Sequence, residues 1–330
     1  MKKQLLISAI FALAVLLSVT NSYAQSCDDA LKPMAGKKYT YGITVNPTGG
    51  TFDWFVTSDL KLATATAITN GTGAAGDIIV AGTGYNLPTS TTASIDITWT
   101  AKAVAEATKA IPVKYYLVVK YTTGCTNNIK PWRITPINLF QITVVNVNSA
   151  GDTYAAICRS PFVDAVIGAD DKVTYDFGEN AFYLKVTANN FTGSWTPKVD
   201  ITALQGSLTT PQTIKSIEWS LTTTFKGTSN FDLATGIATE VVIDKGTDNV
   251  TTGTDEFIYI KVVVKDASFE GTAIQTLKLN LSAKDVAGND DVDFDFATCK
   301  PGAENDFVEQ VLNARPGMTL PTAGPFLIAN

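Results

Sequence analysis

The feature that most constrains the fold is an alternation of apolar and polar residues with a period of two, repeated along nearly the whole chain. Successive side chains of a β-strand point to opposite faces of a sheet, so this alternation is typical of strands with one buried face. Valine, isoleucine, threonine and aromatic residues, which favour strands, supply most of these positions. The alternating stretches are residues 39–45, 52–56, 95–99, 115–121, 142–147, 182–186, 217–221, 258–264 and 277–281.

Turn residues separate the alternating stretches, for example at residues 46–50, 70–71 and 287–289. Helical patterning is weak and is confined to two short segments, residues 102–109 and 304–313. Many short strands between turns favour antiparallel sandwiches. We therefore predict an all-β protein made of two tandem Ig-like antiparallel β-sandwich domains after a cleaved signal peptide.

The first 24 residues have the three parts of a secretory signal peptide. Two lysines follow the initial methionine, residues 5–19 are almost entirely apolar, and Ser22-Tyr23-Ala24 is a small-x-small cleavage site. We predict cleavage before Gln25 and export of the mature chain to the cell surface or the medium, with the periplasm as the alternative. Two other readings stay open for this segment, an uncleaved membrane anchor and a lipoprotein acylated at Cys27.

The rest of the chain lacks an apolar run long enough to cross a bilayer as a helix, so no membrane insertion is predicted after cleavage. About 300 mature residues suit two domains of ordinary size. A small polar cluster at residues 148–152 marks the predicted join. The predicted division is a signal peptide at 1–24, a first sandwich at 25–150, a second, Ig-like sandwich at 151–299, and an extended tail at 300–330. One elongated domain is the alternative.

The four cysteines are far apart in a chain predicted to be exported, which favours disulfides over a CxxC redox or metal motif. Four cysteines allow three connectivities. The one that respects the two-domain division joins Cys27 to Cys125 and Cys158 to Cys299, and we take it as the working hypothesis.

The chain contains no histidine, and this absence excludes much chemistry. There is no imidazole to activate a serine or cysteine nucleophile, and none to bind zinc or copper. The formal charge is −6 and only three residues are arginine, which argues against nucleic acid as a partner. We therefore predict that the protein is not an enzyme. A carboxylate-dependent glycosidase is the one enzyme class whose parts are present.

Two short stretches resemble bacterial extracellular modules. Gly50-Thr51-Phe52-Asp53-Trp54-Phe55-Val56 resembles the G-x-Y-x-W strand of PKD-like domains, and Lys284-Asp285-Val286-Ala287-Gly288-Asn289-Asp290 resembles the D-x-A-G-N hairpin turn of Ig-like repeats. Together they cover less than a tenth of the chain. The resemblance implies a non-catalytic role in adhesion, spacing or assembly at the cell surface, and it brings no catalytic residue with it.

The acidic turn near residue 290 is the predicted metal site. Calcium prefers six to eight oxygen ligands from carboxylates and carbonyls, and Asp285, Asn289, Asp290 and Asp291 could supply such a loop. The alternative is a solvated polar face, because acids at 291, 293 and 295 alternate with apolar residues. Calcium is the one cofactor considered, and the prediction is that none is needed.

Tryptophans give the predicted ligand site. Trp132 and Trp195 stand beside prolines and polar residues, so each could offer a flat apolar face to a sugar ring from a loop. Packing at a domain edge is the alternative for both. Trp54 and Trp219 lie in the middle of similar strands, and we predict that they are core residues.

The sequence therefore predicts a non-catalytic exported surface or structural protein, an adhesion or assembly component that presents loops and sheet edges. Other envelope or surface proteins are the expected partners, and the chain could also assemble with copies of itself. The tail could dock on the sheet edge of a partner by strand addition, with a frayed terminus as the alternative. A carbohydrate-binding protein that uses exposed tryptophan, with or without calcium, is the second hypothesis, and the glycosidase is the third.

Overall fold

The structure is a computed structural model, and it describes residues 27, 29–68, 77–85, 92–124, 126–154, 156–170, 172–191, 193–225, 229–239, 242–243, 256–266, 270–295, 298–303 and 306–317. The predicted signal peptide and Cys125 lie outside these residues. No helix in the described ranges is long and apolar enough to span a membrane.

Six strands and one helix follow one another in the first part of the chain. They are β1 (Lys38–Gly42), β2 (Thr51–Thr57), β3 (Ile79–Ala81), β4 (Ser94–Trp99), α1 (Ala101–Ala107), β5 (Tyr115–Thr123) and β6 (Thr126–Ile134), with a 3-10 turn at Leu62–Thr64. Helix α1 falls where residues 102–109 show helical patterning, and the side chain of Thr100 caps it by accepting a bond from the backbone N–H of Ala103.

The remaining elements of the described residues are strands of two to eleven residues and one short helix. They are β7 (Gln141–Val147), β8 (Ala156–Cys158), β9 (Asp164–Ile167), β10 (Val173–Asp176), β11 (Glu179–Asn189), β12 (Ser194–Val199), α2 (Ile201–Gly206), β13 (Thr213–Ser220), β14 (Ser229–Asn230), β15 (Val242–Ile243), β16 (Glu256–Lys265), β17 (Gln275–Asp285), β18 (Phe294–Asp295), β19 (Lys300–Pro301) and β20 (Phe307–Asn313).

The first sandwich consists of two three-stranded sheets, ordered β1-β4-β3 and β2-β5-β6. Their pairings are antiparallel. Alternate side chains of both sheets enter one core, where Trp54 and Trp99 are fully buried. The second sandwich consists of two five-stranded sheets, ordered β14-β13-β16-β11-β7 and β15-β12-β17-β20-β8. Its core contains Trp195 and Trp219. The predicted all-β class with antiparallel sandwiches is therefore confirmed.

Strand β7 was expected to close the first half of the chain, but it pairs with β11 of the second sandwich, Val144 opposite Val186. The change of core lies between Leu139, which packs in the first, and Phe140, which packs in the second. The domain limits at residues 150 and 299 stay a prediction. The pairing of β7 favours a join about ten residues earlier than the polar cluster suggests.

The described part of the predicted extended tail contains a strand of the second sandwich. Residues 304–313 showed weak helical patterning, whereas β20 is a strand that pairs with β17, Leu312 opposite Gln275. Leu312 is fully buried in the second core, because a strand places alternate residues, Val308, Gln310 and Leu312, on one face. Strand β8 runs parallel to β20 on its other side.

The predicted disulfide connectivity is wrong. Cys27 is bonded to Cys299 with a Cα–Cα distance of 5.1 Å, and Cys158 is an exposed free cysteine. The chain after β17 returns to the first sandwich, where Phe294 packs against its core. This return brings Cys299 to the start of the first sandwich rather than to the second.

Candidate functional site

The turn predicted to bind calcium is a closed hairpin whose polar groups bond to one another. Asp285 Oδ1 accepts hydrogen bonds from the backbone N–H groups of Ala287 (2.9 Å) and Asn289 (2.8 Å), and Oδ2 accepts one from Asn289 Nδ2 (2.7 Å). Burial raises the pKa of the Asp285 carboxyl, and the bonds from Asn289, Ala287 and Gly288 oppose that rise. The carboxylate therefore acts as the internal cap of the turn.

The other two carboxylates of this turn are also engaged. Asp290 pairs with Lys284 on the surface. Asp291 Oδ1 accepts a bond from the backbone N–H of Ala283 (2.5 Å), and burial raises the pKa of Asp291. Across the described ranges, no group of three or more acidic or cysteine side chains is placed to hold a metal ion. That no cofactor is needed, with calcium at this turn as the alternative, stays a prediction.

The same turn joins the two sandwiches. Asn289 Nδ2 donates to the carbonyl of Ala101 at 3.2 Å, and Ala287 packs against the buried residues Ala35, Ala101 and Val104. Asn289 is thus a contact between the turn and helix α1. The sequence motif that resembles an Ig-like hairpin turn has an internal structural role in this chain.

Trp195 does not lie on an exposed loop. It is fully buried in the second core, with its ring edge-on to Phe140 and Phe191 at centroid distances of 6.5 and 6.2 Å. The neighbouring glycine and proline suggested a loop, but β12 lies inside its sheet between β15 and β17. A sugar ring has no access to this indole, so the interpretation of Trp195 as a glycan-binding residue is wrong.

Trp132 is half-buried on β6 and stacks on Trp54, with ring centroids 5.8 Å apart and planes 12° from parallel. It borders a surface groove of about 660 Å³. Tyr121, Asn127, Asn128 and Lys130 also line the groove, together with Ile43, Thr44, Val45, Asn46, Pro47, Val119, Thr123 and Thr126. Of the two tryptophans predicted to bind glycans, Trp132 alone is placed beside a cleft. Trp54 and Trp219 are buried, as predicted for core residues.

A buried charge cluster, formed by Arg159, Asp266 and Arg315, was missed by the sequence analysis. The Asp266 carboxylate is inaccessible to solvent and lies 3.7 Å from Arg159 Nη1 and 3.7 Å from Arg315 Nη2. The side-chain amides of Asn180 and Gln212 both donate to it. Burial holds the pKa of the Arg159 guanidinium below its ordinary value, and Asp266 opposes that shift. Two of the three arginines of the chain meet at Asp266. The scarcity of arginine was the signal in the sequence that could have pointed to this cluster.

The second missed feature is the apolar face of a two-stranded hairpin, β9 paired with β10. Register places Ala165 opposite Tyr175 and Ile167 opposite Val173, and Val163 and Phe177 extend the same face by alternation. We call these six residues the hairpin face: Val163, Ala165, Ile167, Val173, Tyr175 and Phe177. All except Phe177 are exposed, Ile167 to 69% and Val163 to 66%.

The opposite side of the hairpin is polar. Asp164, Thr174 and Asp176 share it with Val166, which is 55% exposed. An amphipathic hairpin of this kind is expected to bury its apolar side, and within the described residues nothing pairs with either edge of the two strands. The signal in the sequence was a short period-two pattern on both sides of residues 168–172.

No protein-family model matches the chain, and no curated protein matches it. Solved structures similar to it include the major pilin subunit of Bacillus cereus, at 9% identity and a TM-score of 0.28 over 85% of this chain and 70% of that chain. The major pilin SpaD from Corynebacterium diphtheriae is 11% identical, with a TM-score of 0.22 over 88% and 68%. The collagen adhesin from S. aureus is 8% identical, with a TM-score of 0.22 over 87% and 91%. At such low identities and scores, these similarities carry no argument about function.

Proposed function

We propose that this chain is an exported, non-catalytic surface or structural protein that binds another protein through the hairpin face. One observation carries the proposal: five of the six apolar side chains on that face are exposed to solvent. A contiguous apolar patch rimmed by polar residues is typical of a protein interaction site. The predicted signal peptide supports export.

The hairpin offers a partner two kinds of contact. Burying the exposed part of side chains such as Ile167, Val173 and Tyr175 would contribute on the order of 1 kcal/mol each. The outer edges of β9 and β10 present backbone N–H and C=O groups that a third strand could pair with. Side-chain burial and strand addition together suit a protein partner better than a small molecule.

The titratable side chains of the chain support a role without catalysis. The chain has no histidine, and two carboxylates with raised pKa, Asp285 and Asp291, are bonded within a turn. Burial also raises the pKa of Asp53, which borders a groove whose lining contains no second carboxylate to act with it. We infer that the protein works by presenting a surface, in keeping with an adhesion or assembly component.

Site-specific photo-crosslinking in cells that produce and export the protein tests this function. A benzoylphenylalanine at position 175 replaces one aromatic residue of the hairpin face with another. We expect a crosslinked product of higher mass in the full chain. Ile167→Asp should abolish it, because the substitution places a charge in the face. Val166→Asp, the matched control, adds the same charge on the opposite side and should leave the product intact.

The proposal fails if no product of higher mass forms, or if Ile167→Asp and Val166→Asp behave alike. Circular dichroism of both variants checks that the fold is preserved. Since both side chains are exposed, we expect neither substitution to unfold the protein.

The groove beside Trp132 favours carbohydrate binding as a second candidate function. Aromatic and amide side chains, such as Tyr121, Asn127 and Asn128, are suited to stacking on and hydrogen bonding to a sugar. A glycan array with the intact mature chain tests it. The double variant Asn128→Ala/Lys130→Ala should lose any signal while leaving the Trp54–Trp132 stack in place. Absence of binding by the intact chain would end this candidate.

A further inference from the structure

A second groove, of about 440 Å³, lies on the outer face of the sheet formed by β2, β5 and β6. Phe52, Trp54 and Val56 of β2 enter the first core, so Asp53 and Phe55 point to the opposite face. The volume falls in the range of ligand sites, about 300–1,000 Å³. We call it the Asp53 groove, and it is lined by Asp53, Phe55, Leu62, Ala63, Ala65, Ala67, Lys120, Asn127 and Ile129.

One wall of the groove is the segment after β2, and side-chain hydrogen bonds hold it in place. The hydroxyl of Thr57 donates to the carbonyl of Thr66 (2.8 Å), and the backbone N–H of Thr66 donates to Asp59 Oδ2 (2.7 Å). Both bonds fix Thr66, and its neighbours Ala65 and Ala67 line the groove. The apolar wall is therefore a built part of the first sandwich.

The carboxylate of Asp53 is half-buried and lacks a bonded partner. Among the residues that the structure describes, none donates a hydrogen bond to it and none forms an ion pair with it. Lys120 lies directly opposite on β5. Burial raises the pKa of Asp53, and the charge of Lys120 opposes that rise without cancelling it. A cation bound at this carboxylate would offset the cost of burying its charge.

The lining favours a cation that carries an apolar stem. Phe55, Leu62 and three alanines present carbon atoms beside the single carboxylate. Lysine and arginine side chains lay their methylene groups on such surface and keep the charged end at a polar group. The exposed ammonium of Lys120 is already hydrated, so a ligand carboxylate would gain little there. The net charge of −6 also favours a basic partner over an acidic one.

We propose that the Asp53 groove receives a basic side chain of a protein partner, with the cationic end at Asp53 and the methylene stem on the apolar wall. One such pair binds weakly by itself, so it acts as part of a larger protein contact. The groove shares no residue with the hairpin face. It is a further docking site, on the first sandwich, and it stands or falls independently of the function proposed above.

Titration of the purified mature chain with Nα-acetyl-lysine methylamide, followed by NMR of the backbone amides, tests the site. We expect a Kd on the order of millimolar, with the largest shifts at residues 53–67 and 120, because a single ion pair supplies most of the affinity. Nα-acetyl-norleucine methylamide has the same stem without the charge and should bind at least about tenfold more weakly. Equal binding of the two probes would overturn the proposal.

Three variants assign the binding to Asp53. Asp53→Asn should weaken the lysine probe about tenfold while the melting temperature is kept, because the carboxylate makes no bond that the fold would lose. Asp170→Asn removes the same charge from an exposed position of the hairpin and should leave the Kd unchanged. Lys120→Met should tighten binding roughly two- to fivefold, because it removes a charge that opposes the probe. Weaker binding by Lys120→Met would show that the groove suits a zwitterion and would overturn the proposal.

The pH dependence of binding is a third measurement. Binding requires the ionised carboxylate, so the affinity for the lysine probe should fall as pH decreases through the raised pKa of Asp53. By the same linkage, saturating probe should lower that pKa, as read from the carboxyl carbon by NMR. The other charged side chains of the groove and its wall are Asp59, Lys61 and Lys120, of which Asp59 alone is a carboxylate. The same pH dependence in Asp53→Asn would assign it to Asp59 and overturn the proposal.

Discussion

At the scale of single residues, the buried charge cluster shows how a few polar side chains fix distant parts of the chain. Asp266 stands at the end of β16, Arg159 precedes the hairpin, and Arg315 follows β20. The single carboxylate faces two guanidinium groups, of which Arg159 is buried and Arg315 is partly exposed, and Asn180 and Gln212 donate to its remaining acceptor positions. The cluster therefore holds the segment before the hairpin, the end of β16 and the segment after β20 at one place.

Removing the central charge should therefore be costly. We expect Asp266→Asn to lower the free energy of unfolding by about 3 kcal/mol, because it leaves the buried guanidinium of Arg159 and the partly buried one of Arg315 without a counter-charge. Urea unfolding followed by circular dichroism measures the change. Asp170→Asn, which removes an exposed carboxylate paired with Lys172, should leave the midpoint unchanged. Equal shifts in the two variants would contradict the role assigned to burial.

The Asp285 carboxylate makes the free energy of unfolding depend on pH, and the direction of its pKa shift sets the sign of that dependence. Burial raises its pKa above the ordinary value of 3.8, so the folded state binds the proton more tightly than the unfolded state. From pH 3.8 upward through the raised folded value, the contribution of Asp285 to the free energy of unfolding falls as pH rises. Asp285→Asn should therefore make the stability of the protein fall less steeply across that interval in urea unfolding.

Asp232 is the control for this measurement because its shift has the opposite direction. The backbone N–H of Ala234 and then the hydroxyl of Thr235 hold the pKa of Asp232 below its ordinary value. That carboxylate contributes stability above its ordinary pKa, and the contribution is lost as pH falls through the lowered value. Asp232→Asn should change the pH slope in the other direction, and a change of the same sign in both variants would contradict the assignments.

At the scale of secondary-structure elements, strands were predictable and their partners were not. The alternation over residues 182–186 and 258–264 marks β11 and β16, since one buried face leaves a local pattern. The pairing of β7 with β11, and of β20 with β17, depends on contacts between residues far apart in the chain. No local pattern encodes that choice, so the sequence predicts strands without identifying their partners.

The candidate binding residues were likewise only partly predictable from the sequence. The proline and polar neighbours of Trp132 are consistent with its place on the edge strand β6, whereas the same signal failed for Trp195, whose strand lies inside a sheet. The hairpin face was missed because its strands have four residues each, too short to stand out from turns. Exposure of an apolar face is a property of the assembled chain, and the sequence alone does not report it.

Two glycines in turns differ in the room available for a Cβ atom, which allows a prediction about their substitution by alanine. Gly236 and Gly288 both have positive φ, +71° and +87°. A Cβ on Gly236 would lie 1.9 Å from the carbonyl oxygen of Val199, whereas a Cβ on Gly288 would meet nothing within 4 Å. Gly288→Ala should cost about 1 kcal/mol of unfolding free energy from backbone strain alone.

Gly236→Ala should cost about 3 kcal/mol, because the clash with the β12 backbone adds to the same strain. The backbone N–H of Val199 donates to the Gly236 carbonyl at 2.7 Å, so the turn cannot move away without breaking that bond. Thermal and urea unfolding of both variants compare the two costs. An equal cost at both positions would show that strain, rather than space, sets the requirement for glycine.

At the scale of the whole molecule, the chain returns on itself. After β17 leaves the second sandwich, the backbone N–H of Val292 donates to the carbonyl of Phe140 (2.8 Å), and Asn138 Nδ2 donates to the carbonyl of Asp290 (2.6 Å). Phe294 then packs on the first core. Our cysteine pairing failed because it assumed that each domain is one uninterrupted segment. The return of Phe294 and Cys299 to the first sandwich contradicts that assumption.

The disulfide between Cys27 and Cys299 closes a loop with a sequence separation of 272 residues that contains both sandwiches. Constraining so long a loop restricts the unfolded chain strongly, so the double variant Cys27→Ser/Cys299→Ser should lose about 2–5 kcal/mol of unfolding free energy. Cys158→Ser, which alters an exposed free thiol, should leave the urea midpoint unchanged. Mass spectrometry of non-reduced peptides checks the connectivity directly. A peptide joining Cys158 to Cys299 would contradict it, and with it the path by which the chain after β17 returns to the first sandwich.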